Sequence, residues 1–482
     1  MSTTAATGFS RVTVVAPDSR IDVALPEDIP LADLNPEILR LSGQTQPPDA
    51  PTGWHLVRRD GTVLDPARSL AAQRVLDGEV LSLRPFAESL PPAVYDDVVD
   101  AVAAAVATDR RRWSEELMRA AGLTGGVLLL ALTALVLWCA DPVRHDMHGL
   151  PGVIAAAAGV LLTALAAVRA RVYDDRGSAV AFGLGALPLL LLAGSAVVAP
   201  DAGQGPGRLQ FLLGCVTVLV ASTLLIALTP NGDAPFVAAG TAAAVGTLAA
   251  FAAVLTEAAP SHAAAICAVL AVAATAFLPA LSARFARLPI GFATPRPDDT
   301  GGARDAEPVD EVRIAARARR GHEMLLGLVG GCSAVVVGCG AVLGFSHSAW
   351  AQLLALATGL AALMRARLFR YTAQVGCLLV AGLGAIALLV LGLALHPPAA
   401  EAHALLAGDH ARADIRTLWL AGSVAAGAGV LAAIALIVPK KGVSPFWGRL
   451  LDLAEGAVLL SLVPLCLAVL DVYAAARGMG SG

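Results

Sequence analysis

The stretch AAGLTGGVLLLALTALVLWCA, from Ala120 to Ala140, decides the fold. It runs for 21 residues without a charge. Wound as an α-helix, it is about 30 Å long, the thickness of a bilayer's hydrocarbon core. A helix on the surface of a soluble protein needs one polar face, and this run offers none. Similar runs recur near 150–168, 179–198, 209–229, 234–255, 261–283, 324–344, 348–364, 374–395, 417–438 and 453–474. The sequence therefore predicts about eleven membrane-spanning helices, with ten or twelve left open by a short eighth run and a close fifth and sixth.

Composition agrees. Apolar residues make up 57% and charged residues 15% of the chain, and mean hydropathy is +0.71. A soluble fold carries about 25% charged residues. Net charge is −4, which argues against a nucleic-acid partner. Cys139, Cys215, Cys267, Cys332, Cys339, Cys377 and Cys466 all lie in apolar runs with no CxxC spacing. They read as small hydrophobes rather than as disulfides or zinc ligands. Residues 1–20 lack a basic segment followed by an apolar one, so no signal peptide is expected.

Orientation follows from the basic residues. If the N-terminus lies inside, the inner segments hold Arg110–Arg112 and Arg119, then Arg169, Arg171 and Arg176, then the arginines of 284–320. Arg365, Arg367, Arg370, Lys440, Lys441 and Arg449 complete the inner set. That is about 21 basic residues, against about five outside (Arg144, Arg208, Arg412, Arg416, Arg477). The expected topology has a cytoplasmic N-terminus and an extracytoplasmic C-terminus in a bacterial plasma membrane.

Ahead of the first span lies a compact α+β unit. Phe9–Val15 and Ile21–Leu25 alternate as strands around a Pro17-Asp18-Ser19 turn. Leu34, Ile38 and Leu41 mark a helix, with Pro36 suiting its first turn and Gly43 ending it. Trp54–Arg58 is a third strand and Val63-Leu64 a short return strand. Ser69–Val75 offers one helical turn, and Glu79–Leu83 a last strand. This order is that of a ubiquitin-like β-grasp domain. Leu83-Arg84-Pro85 runs on into more chain, where a conjugated modifier would need a free terminus, so docking is the better reading.

The chain thus divides into a ubiquitin-like domain (1–88), an amphipathic linker helix (89–119), transmembrane helices 1–6 (120–283), a basic cytoplasmic loop (284–323) and transmembrane helices 7–11 (324–482). In the linker, Val94, Val98, Val102 and Val106 form a stripe ending at Arg110–Arg112, where anionic headgroups would attract it.

Ionisable residues inside spans usually mark function, and here they sit only near span ends: Glu257, Asp452, Glu455 and Asp471. Asp452 and Glu455 share a helix face after Arg449 and read as an interfacial ion cluster with it, or as a contact for a partner subunit. His145, His148, His396, His403 and His410 fall in outer loops and read as solvated. Gly327/Gly331 and Gly340/Gly344 permit close helix approach, within the chain or between copies. Pro188, Pro279 and Pro464 are in-span kinks. Neither a P-loop nor a nucleophile elbow nor a tight His/carboxylate set occurs. No catalytic, cofactor or metal site is predicted, and the chain reads as a non-enzyme.

Several short stretches carry a resemblance. They are Pro30–Leu34, Gly53–Leu56, Ser69–Ala71 and Asp77–Pro85 in the head, Arg365-Ala366-Arg367 after the eighth span, and Ser444–Arg449 leading to Asp452–Glu455. With the head, linker and eleven spans, the chain resembles EccD, the integral membrane subunit of the actinobacterial type VII (ESX) secretion system. The resemblance implies a scaffold and channel component assembling with EccB, the ATPase EccC and EccE. It also implies copies paired as a dimeric barrel, a head docked on the ATPase, and small helical-hairpin cargo of the WXG100 type. A secondary transporter with a cytoplasmic regulatory domain is the alternative, and it leaves the head unexplained. A membrane enzyme would need a site the sequence lacks.

Overall fold

A computed structural model describes residues 8–44, 53–85, 98–99, 113–201, 205–229, 234–286, 311–408, 410–441 and 444–479. The chain forms two units, divided after Arg112.

The head is a four-stranded sheet of order β2-β1-β4-β3, built from β1 (Phe9–Val15), β2 (Arg20–Pro26), β3 (Trp54–Arg58) and β4 (Val80–Pro85). The outer pairings are antiparallel, and β1 runs parallel to β4 with Val14 opposite Leu81. Alternation along β1 buries Ser10, Val12 and Val14 on one face. Those valines meet Leu31 and Ile38 of α1 (Leu31–Leu41), together with Leu56, Leu70, Leu81 and Leu83.

Three local readings of the head change. The α1 stripe is Leu31, Leu34 and Ile38, while Leu41 is exposed. The helix starts five residues before Pro36, so this proline sits inside it and cannot donate to the Ala32 carbonyl. The early start holds because the 66–68 loop takes up orphan amides: Ala32 N donates to Pro66 O at 2.8 Å and Leu31 N to Arg68 O at 3.2 Å. Ser69–Val75 closes one α-type bond, Gln73 N to Ser69 O at 3.2 Å, within a run of turns that ends at a left-handed Arg74. The return strand shrinks to one bridge, Val57 to Val63, with Leu64 buried beside it.

Among its described residues the second unit is built of helices and the turns between them. Its spans are α2 (Glu115–Trp138), α3 (Leu150–Arg171), α4 (Arg176–Ser195), α5 (Arg208–Leu228) and α6 (Ala234–Thr256). A bent pair follows, α7 (Pro260–Ala274) and α8 (Leu278–Phe285), and then α9 (Glu311–Gly344), α10 (Ala349–Arg365) and α11 (Thr372–Leu395). A short α12 (Ala399–Leu406) precedes α13 (Ala411–Lys441) and α14 (Pro445–Val469), and α15 (Val472–Met479) closes the described chain. Among the described residues ten helices are long and apolar enough to cross a membrane, or eleven if the bent pair counts as one.

The sixth run is not the continuous helix expected for 261–283. It bends by 69° between α7 and α8. The Thr275 hydroxyl donates to Val272 O at 2.6 Å, and Pro279 has no amide to carry the ladder onward. The last span begins at Pro445, so Asp452 and Glu455 lie two to three turns inside it. Residues 311–323 of the basic stretch are helix continuous with α9. The predicted linker stripe lies outside the described residues except for Val98, as do Arg110–Arg112 and 287–310.

Helix α9 organises the packing. Gly327 and Gly331 face α6, where a Cβ on Gly331 would stand 2.5 Å from Thr241 Cβ and 2.8 Å from Ala238 O. Gly340 and Gly344 face α11, where a Cβ on Gly344 would stand 2.9 Å from Leu389 Cα. Both glycine pairs thus let backbones of the same chain approach. One apolar core joins α2–α6, and a second joins α7–α11 with α14. Helix α13 differs: none of its described side chains is buried.

Candidate functional site

The bundle's arginines gather where the first span begins, with Arg119, Arg169, Arg171, Arg176, Arg365 and Arg367. Alternating helix direction brings the start of α2, α4, α9 and α14 together with the end of α3, α5 and α10. We call this the arginine-rich end.

Arg365 closes α10 and Arg367 sits on the 3-10 turn Ala366–Leu368 after it. Both reach α14, where Asp452 and Glu455 share a face at i, i+3. Arg365 Nε lies 3.5 Å from Glu455 Oε1, Arg367 Nη2 lies 3.6 Å from Glu455 Oε2, and Arg367 also pairs with Asp452. The Arg365 and Glu455 side chains are only 13% and 15% exposed, whereas Asp452 is 68% exposed. Glu455, largely shielded from water and within ion-pair distance of both guanidiniums, is therefore the centre of the network. The sequence reading paired these carboxylates with Arg449, one turn away on the same helix. Arg449 makes no ion pair among the described residues; the carboxylates point across to α10 instead.

Further ties join neighbouring helices at this end. Arg119 of α2 pairs with Asp175, which also caps α4 by accepting from Ser178 Oγ at 2.7 Å and Ser178 N at 3.2 Å. The Ser178 hydroxyl and amide, with Arg119 beside them, hold the Asp175 carboxyl below the usual carboxylate range. Arg176 pairs with Glu323 of α9 at 3.3 Å. Arg171 donates from Nε to Leu228 O at 2.9 Å and from Nη2 to Ala227 O at 2.6 Å. It thereby satisfies two orphan carbonyls at the end of α5. His322 meets Gln374 at 3.3 Å and packs on Tyr371.

At the opposite end the histidines are not simply solvated. His145 stacks on Trp138 with ring centroids 4.9 Å apart, and its Nδ1 lies 2.9 Å from Trp138 O. His148 Nδ1 lies 2.9 Å from Ala196 O, and His396 packs edge-on against Phe345. Glu257 is left-handed and its carbonyl accepts from Arg208 at 2.6 Å, while Asp471 is left-handed just past α14. The seven cysteines are free thiols. Among the described residues no three His, Cys, Asp or Glu side chains converge on a metal position. What the arrangement does provide is paired charges that hold helix ends together.

The family model described as the EccD-like transmembrane domain matches residues 118–479. The chain belongs to the EccD family. It is a structural membrane subunit of a type VII secretion system. The family model of YukD, a protein of the WXG100 protein secretion system, matches residues 9–83 of the head. The ESX-4 secretion system protein eccD4 of Mycobacterium tuberculosis, in strains CDC 1551 and H37Rv, is 28% identical over 98% of this chain and 97% of its own length. Protomer 1 of the ESX-3 core complex shares the fold, with a TM-score of 0.60, 21% identity and coverage of 97% of this chain and 100% of that one. In this EccD-family bundle, the Arg365–Arg367 and Asp452–Glu455 stretches that carried the resemblance are the two halves of one ion network. Sequence alone left them as separate motifs. The signal available was a basic pair directly after one span and an acidic pair early in another.

Proposed function

We propose that this EccD-family chain is a non-catalytic frame in a bacterial plasma membrane, supporting ATPase-driven export of small helical proteins. Its head faces the cytoplasm and its C-terminus lies outside. Its partners are EccB-, EccC- and EccE-type subunits, a second copy of itself and the surrounding lipids. The observation that carries the reading is the set of ties at the arginine-rich end, which join α2 to α4, α3 to α5, α4 to α9 and α10 to α14. The crowding of arginine at that end supports the orientation.

Self-association is supported by α13. Its Leu418, Trp419, Val430 and Ile434 are exposed, and Gly422, Gly427 and Gly429 have open space where a side chain would be. A membrane interface needs small residues and apolar bulk of that kind.

The test is affinity purification of the full chain and of a version lacking residues 1–88 from the native membrane in mild detergent. The full chain should bring an ATPase, and the truncated chain should bring markedly less. Equal recovery of the ATPase would overturn the docking role of the head, and recovery of the chain alone would overturn the frame.

A further inference from the structure

An apolar groove of about 820 Å³ lies between α4, α5, α6, α7 and α9. That is a full-sized ligand site by volume. Its depth is the informative feature. Helix α5 contributes only its first half, to Val218, and α7 only as far as Cys267. Helix α9 contributes only Ala334 to Val342, close to its end, and α6 alone reaches deeper, to Ala239. The groove thus opens at the arginine-poor end and is walled by α4, α5, α7 and α9 only in that half, leaving α6 alone to line its deeper part.

Its walls are almost wholly alanine, glycine, valine, leucine and cysteine, so water would find few hydrogen-bond partners there. A partner helix would need about 20 residues to cross the full core, and four of the five walls accompany it over only about half of that length. A lipid chain from one leaflet has the right reach. The charge lies at the mouth. Arg208 opens α5 and is held there by one hydrogen bond, from Nη2 to Glu257 O at 2.6 Å. It makes no ion pair among the described residues, and a guanidinium carries five donors in all. The positive end of the α5 dipole lies beside it.

We propose that this groove binds one anionic phospholipid of the arginine-poor leaflet, with an acyl chain along α5, α6 and α9 and the phosphate on Arg208. The site is internal to one chain and does not require a second copy.

The test uses the full chain in nanodiscs of phosphatidylglycerol and phosphatidylcholine. A phosphatidylglycerol with a photoreactive acyl chain should label residues 206–218, 239–253 and 334–342 well above the exposed helix α13. Native mass measurement after detergent extraction should find phosphatidylglycerol retained. Arg208→Gln, a change at an exposed position, should lower its retention against phosphatidylcholine about tenfold, the worth of one charge-assisted phosphate contact. Ala249→Phe should reduce groove labelling while the variant still elutes as folded protein. Labelling spread evenly over all lipid-facing helices would overturn the proposal. So would unchanged headgroup preference in Arg208→Gln, or a peptide in place of lipid in the extracted complex. If Ala249→Phe fails to fold, the Arg208 variant and the labelling map decide.

Discussion

Replacing Glu455 by Gln removes the charge shared by Arg365 and Arg367 while keeping the shape of the side chain. A fully buried ion pair that loses one partner costs about 3–5 kcal/mol, and an exposed pair about 0.2–1 kcal/mol. Arg365 and Glu455 lie nearer the first case, at 13% and 15% exposed, but their separations of 3.5 and 3.6 Å are loose and the amide can still accept a hydrogen bond. The expected loss is therefore about 2 kcal/mol. Asp452→Asn supplies the internal control. At 68% exposed, Asp452 should be worth less than about 0.5 kcal/mol. Unfolding in mixed micelles, followed by the loss of contact between labels on α10 and α14, measures both. A cycle with Arg365→Ala isolates the pairwise part, which should exceed about 1 kcal/mol. Equal costs for the two carboxylates, or a coupling near zero, would refute the claim that a half-desolvated bridge holds α14 to α10.

Gly331→Leu should destabilise the bundle by about 2 kcal/mol or more, because its Cβ would meet Thr241 Cβ and Ala238 O. Gly422→Leu on α13 should leave the stability of one chain unchanged and weaken association of copies, read by native mass measurement. In the head, burial pushes the His55 imidazole below its ordinary 6.5, with Arg84 as the smaller cause. The unfolded chain then binds more protons in that range, so stability is full above about pH 6.5 and falls as the solution is acidified toward the lower folded value. Denaturation of a fragment spanning residues 1–88 at several pH values should show this slope, and His55→Phe should flatten it. Asp175→Asn should loosen the start of α4 against α2, detected as faster hydrogen exchange at Ser178 and Ala179.

What the sequence made legible followed from chain-local physics. Uncharged runs such as Ala120–Ala140 have few alternatives to crossing a bilayer, and the alternation of Phe9–Val15 marks a half-buried strand whatever it packs against. What escaped needed knowledge of neighbours. Apolar composition continues through Thr275, Ala276 and Phe277, so the break between α7 and α8 has no hydropathy signature. Leu31 lies behind a proline that looked like a helix start, and only the 66–68 loop explains why the helix begins earlier. Arg449 was the nearer cation to Glu455 along the chain, while Arg365 was nearer in space. The groove, likewise, is a property of five helices meeting and of no single stretch.

The ties at the arginine-rich end also restrict how the subunit can move. Sliding one helix past its neighbour by a single turn is a shift of about 5.4 Å, enough to part Arg176 from Glu323 and to draw Arg171 off the end of α5. Those charges cannot sink into hydrocarbon, so piston-like strokes of α3–α5 and α9 are opposed, whereas Arg367 already meets both Asp452 and Glu455 and keeps a carboxylate if α14 shifts by a turn. Motion of these helices is therefore easier sideways than along their axes, and α13, held at its start by Arg416 on Glu401 but with no buried side chain among those described, is the span with least packing to resist it.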